Sequence, residues 1–302
     1  NYGNTSFPAG TTFPALTTLS KTQAGTLDFA NSNLNLTSYT QTAGVVTGSG
    51  TITIPSGGTF NWGGGTLGGT GTLSTPVGAT TNITGATALA NTRTWNNGGS
   101  VSMVMGGHNS YLDIATGALL NNLSSGVIDL RSATINTGFS GAGTINNAGE
   151  LKKTLNTSVQ EVFVSPVFSN QTNGIVTLNS GTLTVNGVLS QAGTIEVAAG
   201  ATFQKSGSWT NTGTISGSGT ISVGAGNTLT NNGTLRPGGQ NAVGTLTVTG
   251  QLNNGAAGVI EVELQDNATQ YDKIAATGNV VLGGTIKAND LAGYQTGSGH
   301  TY

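Results

Sequence analysis

Chemistry in this chain would have to come from very few ionisable side chains. Its 302 residues include eleven Asp and Glu, nine Lys and Arg, two His and no Cys. Asp28, Asp113, Asp129, Glu150, Glu161, Glu196 and Asp290 each stand without a second acid within a few residues. The exception is Ile260-Glu261-Val262-Glu263-Leu264, where Glu261 and Glu263 share one strand face and Asp266 and Asp272 follow closely. Glycan cleavage needs such carboxylates on neighbouring elements, one acting as acid and another as base across the scissile bond. Glu261, Glu263, Asp266 and Asp272 are therefore the catalytic candidates if the chain is a glycan lyase or depolymerase. A solvated strand face is the simpler account of the same four residues.

Other site chemistries find less support. His108 and His300 lie far apart with no HxxxH or HExxH partner, so no zinc site is expected. His108 could meet Asp113, but a solvent-facing turn accounts for it. The Gly-rich stretches at 63–65 and 68–71 are not followed by the Asp of a calcium-binding solenoid repeat, and no Gly-Lys pair offers a phosphate loop. No metal or cofactor is implied. Lys152-Lys153, the only adjacent basic pair, reads as a solvated edge. Trp62, Trp95 and Trp209 each precede an Asn/Gly/Thr-rich turn, where they could stack on sugars as glycan-contact aromatics or plug wide coils. A net charge of −2 argues against a nucleic-acid partner, and the short apolar runs exclude membrane insertion by a helix.

The elements that must position these residues follow from a repeat. Gly-Thr-(Leu/Ile) begins at Gly25, Gly50, Gly65, Gly71, Gly143, Gly181, Gly193, Gly213, Gly219, Gly233, Gly244 and Gly284. Several steps are close to 20 residues, the length of one β-solenoid coil. Between the glycines, segments such as Thr51-Ile-Thr-Ile54, Thr182-Leu-Thr-Val185 and Thr194-Ile-Glu-Val197 alternate at period two and are rich in β-branched residues. Thr should face water and Leu, Ile and Val the core. Gly is expected to supply positive φ at the corners. Asn in Asn97-Gly98, Asn186-Gly187, Asn232-Gly233 and Asn254-Gly255 could take left-handed φ and stack its amides at a turn. One continuous solenoid over 1–302, about 20 residues per coil, is expected. Residues 150–166 could form a lateral excursion, a helix or an ordinary strand.

Only 7% of the chain is charged, so hydroxyls and amides must keep its surface wet. Disorder is excluded by 35% hydrophobic content in a regular pattern, and collagen by only six Pro and no strict period of three. The absence of Cys suits a chain that crosses envelopes unfolded. No leader or anchor is evident, which suggests an internal piece of a longer protein. Thr-x-Thr arrays raise an ice-binding face as a minor alternative, against which the spacing drifts.

The order of motifs downstream resembles a known family. Gly193-Thr-Ile-Glu-Val-Ala-Ala-Gly, Asn231-Asn-Gly-Thr-Leu-Arg-Pro-Gly-Gly239, Val243-Gly-Thr-Leu-Thr-Val-Thr-Gly250, Tyr271-Asp-Lys-Ile and Leu282-Gly-Gly-Thr-Ile286 are similar to the passenger repeats of bacterial autotransporters and related large surface adhesins. The resemblance covers about residues 170–286. It implies a right-handed parallel β-helix, export across a Gram-negative envelope, and display at the cell surface or release as fibres. It carries over no catalytic residue. The expectation is a non-catalytic rigid stalk or self-associating fibre subunit in adhesion or biofilm matrix. Sister rods and host or matrix glycans or proteins are its expected partners.

Overall fold

The computed structural model describes residues 3–107, 109–132, 137–155, 161–265 and 270–291. All regular structure there is β: 38 strands and no helix. Each coil lays down three strands, as in Thr26–Asp28, Leu34–Asn35 and Ser38–Gln41, and each strand enters a different parallel sheet. These are called the first, second and third sheets in the order the chain visits them; they hold 13, 12 and 13 strands. The result is a three-sided β-solenoid with coils about 22 residues apart, slightly longer than the expected 20. Individual steps run from 18 residues, Thr202 to Thr220, to 28, Thr245 to Lys273.

Alternation does what the sequence implied: one side of every strand fills a narrow core. On the second sheet Ile52, Leu73, Trp95, Leu120, Ile145 and Phe168 lie in one register column, each buried. Parallel stacking places like on like, so the apolar column continues wherever the strand motif does. Within residues 150–166, Glu150–Lys153 and Glu161–Val164 are strands of the third and first sheets, with Leu151, Val162 and Val164 in the core. These strands rule out a helix through them. Residues 156–160, where an excursion would leave the stack, lie outside the described residues.

Glycine serves two needs, of which the sequence suggested one. In Gly-x-Gly-Thr the first glycine has positive φ, 84° at Gly69 and 107° at Gly217. The glycine that opens Gly-Thr-(Ile/Leu) often does not. A Cβ on Gly213 would stand 1.9 Å from the Gly193 carbonyl oxygen, and one on Gly233 2.0 Å from that of Gly213. Those glycines are required by the close approach of successive corners, not by a left-handed backbone.

Candidate interaction surface

The acidic cluster is built into the scaffold. Glu261, on the third sheet, meets Arg236 of the preceding coil through its Nε (2.7 Å) and Nη2, and Lys287 of the next at 2.9 Å. Hydrogen bonds from Lys287 and then Arg236 hold its carboxyl below the usual range. Glu263 is buried beneath loop 238–244; its two oxygens accept from the backbone N–H groups of Asn241 (2.7 Å) and Ala242 (2.8 Å). Asp272, also buried, accepts from the Gly244 N–H at 2.7 Å and the Glu263 N–H at 2.9 Å. Burial pushes its carboxyl up to about 6, with the Glu263 charge adding to the rise and the two N–H donors opposing it. The solvated strand face expected for these acids is thus corrected: Glu261 is paired across two coils and Glu263 is roofed by a loop. Asp266 lies outside the described residues.

The tryptophans are core. Trp62 and Trp95 have no exposed area and Trp209 has 9%, so none offers a sugar a ring face. Trp95 donates to the Thr75 hydroxyl at 2.9 Å and lies edge-on to Trp62, which stacks on Phe60. His108 and His300 lie outside the described residues; Asp113 accepts from the Ser140 hydroxyl. Lys152 is half-exposed and pairs with Glu150. Lys153 corrects the reading of that pair as an edge: as the last inward residue of Glu150–Lys153 it is 1% exposed, and its Nζ has no hydrogen-bond partner among the described residues. Burial pushes its amine pKa down.

A second buried polar feature went unread in the sequence. The last inward position of successive second-sheet strands is Asn97, Asn122, Asn147, Asn170, Gln191, Asn211, Asn231 and Asn254, all buried. Side-chain amides hydrogen-bond from coil to coil at 2.7–2.9 Å from Asn97 to Gln191 and again from Asn211 to Asn254. The expected amide ladder exists, but inside the core. Asn97 and Asn254 belong to it, whereas Asn186 and Asn232 do not. None of those four has positive φ; among described non-glycine residues that is confined to Ala30, Asn91, Asn109 and Asn241. The missed signal was Asn recurring two residues after an apolar strand residue.

The three outer faces differ sharply in charge. One outward row of the third sheet carries Asp129, Lys152, Glu196, Arg236, Glu261 and Lys287. Among the described residues, no strand of the second sheet contains a charged residue. One outward row there reads Ser74, Asn96, Asn121, Asn146, Ser169 and Ser190, with amide bonds of 2.9 and 3.0 Å linking Asn96, Asn121 and Asn146. The other includes Thr72, Thr94, Leu119, Thr144 and Val167. Away from the final described coil, six large hydrophobics are exposed, and four of them, Val77, Leu123, Val167 and Val188, lie in or beside this sheet. A concavity of about 570 Å³ is a trough on the third sheet lined by Thr177, Glu196, Ser216, Arg236 and Gln240 among others.

Comparison of the chain with family models, curated proteins and solved structures gives no match.

Proposed function

We propose that this chain is a non-catalytic structural segment of a bacterial secreted or cell-surface protein, working as a rigid stalk or self-associating fibre subunit. The observation that supports it best is the use of polar chemistry to join coils. Glu261 bridges three successive third-sheet strands, Glu263 and Asp272 hold loop 238–244, and the buried amides run along the core. A catalytic carboxylate must be free to exchange protons with substrate, whereas each of these three accepts scaffold donors on both of its oxygens. Parallel backbone ladders on three sides resist bending, and the resemblance of residues 170–286 to autotransporter passenger repeats agrees with display outside the cell. Electron microscopy of the purified chain tests this reading. Thin rods about 60 Å long, from 13 strands at about 4.8 Å, are expected. Turnover on a broad polysaccharide panel, abolished by Glu261→Gln and Glu263→Gln, would refute the non-catalytic assignment.

A further inference from the structure

We propose that the outer face of the second sheet is a contact surface for a second copy of this chain. The two copies lie face to face and antiparallel, with their twofold axis near Val167 and Val188. The inference rests on the scaffold reading and names its partner.

Three observations converge on this face. Among the described residues it is the only one of the three whose strands carry no charge, and charge depletion marks the centre of protein interfaces. It gathers most of the exposed aliphatic side chains, and two of them, Val167 (39% exposed) and Val188 (67%), respectively open the seventh of its twelve strands and immediately precede the eighth. An apolar patch midway along a polar face is where a twofold pair places its most buried contacts. Third, the surface amides of Asn96, Asn121 and Asn146 already hold one another, so docking costs them little rotamer freedom.

The occupant follows from what the face lacks. The aromatic residues in these strands, Trp95, Phe168 and Trp209, all point inward, which leaves no ring on which a glycan could stack. Without basic residues it has nothing for a polyanion. A neutral face, however, meets its own copy with no like-charge repulsion, and hydroxyl and amide rows are self-complementary because each group both donates and accepts. Twelve strands at about 4.8 Å, on average about 12 Å long, give roughly 700 Å² per copy, close to the roughly 800 Å² of a standard interface.

Light scattering after size exclusion, with small-angle scattering of the intact chain over a concentration series up to the millimolar range, tests the proposal. The expected result is a dimer of doubled cross-sectional mass and unchanged length. Val188→Lys or Val167→Lys should weaken it at least tenfold, and Thr177→Lys on the third sheet should leave it unchanged. Both valines are exposed, so melting of the variants should match the parent. Monomers throughout, dimers indifferent to Val188→Lys, or dimers of doubled length that respond to Ile286→Lys would each overturn the face assignment while leaving the rod intact. A compact scattering profile would instead remove the scaffold reading itself.

Discussion

Replacing Asn147 by Leu should reveal how much of the solenoid's cohesion resides in the buried amides. Asn147 accepts from Asn122 Nδ2 at 2.8 Å, and donates to Asn170 Oδ1 at 2.8 Å and to the Ile175 carbonyl at 3.0 Å. Leucine is nearly isosteric, so little cavity is created, but Asn170 Oδ1 loses its donor, while the Ile175 carbonyl keeps its place in the parallel ladder. Asn122 keeps the Gly126 and Glu150 carbonyls as acceptors and suffers less. An orphaned buried polar group costs about 1–3 kcal/mol, the loss expected for Asn147→Leu. Adding Asn170→Leu removes the orphaned oxygen, and the double variant should be less destabilised than the sum of the singles by at least about 1 kcal/mol. Equilibrium urea unfolding followed by circular dichroism measures both quantities. Coil stacks need not unfold in one step, so the comparison should use the transition that includes these coils. A loss under about 0.5 kcal/mol for Asn147→Leu, or strict additivity with Asn170→Leu, would refute the claim that the amides act as a coupled column.

Gly213→Ala should destabilise the stack by roughly 2 kcal/mol or more, since its Cβ would collide with the Gly193 carbonyl. Gly106→Ala, with open space around the new methyl group and no left-handed φ, should be near neutral in the same melting assay. Lys153→Met should stabilise by about 1–4 kcal/mol at neutral pH, because it removes a buried amine with no hydrogen-bond partner among the described residues. The folded-state pKa of Lys153 is depressed, so the parent loses stability as pH falls from the ordinary lysine value toward the folded one, and the variant should lack that slope. Asp272 has the opposite sign. With its folded pKa raised to about 6, its favourable contribution is full below about pH 4 and lost as pH rises to about 6, on the order of 2–3 kcal/mol. Asp272→Asn should flatten melting temperature across that window while lowering stability overall, since an amide nitrogen would face an N–H donor. An unchanged slope would contradict the assignment.

Much of the fold was legible because a solenoid is locally encoded. Segments such as Thr194-Ile-Glu-Val197 announce an inward and an outward side by themselves, and the spacing of Gly193, Gly213 and Gly233 announces the coil. Partners that depend on which coil lies above were illegible. Lys152 and Lys153 look alike in sequence, yet period-two alternation sends one to water and the other into the core. Glu261 and Glu263 share a strand, but loop 238–244 covers only the second. The interior column of Asn147 and its neighbours was hidden for a related reason: Asn before a turn is explained well enough by turn chemistry alone. The uncharged face likewise emerges only after every strand is assigned to its sheet, since neutral and charged strands alternate along the chain.

The absence of Cys from the chain permits a direct test of that face. Single cysteines at Ser169 on the second sheet, Thr177 on the third and Ser140 on the first can be oxidised under identical mild conditions and the products resolved on a non-reducing gel. Ser169 lies on the seventh strand of the uncharged sheet, next to the proposed twofold axis. Disulfide-linked dimers formed rapidly by Ser169→Cys, and slowly or not at all by the other two, are the predicted result. Equal linking from all three faces, or preferential linking through Thr177→Cys or Ser140→Cys, would contradict the account.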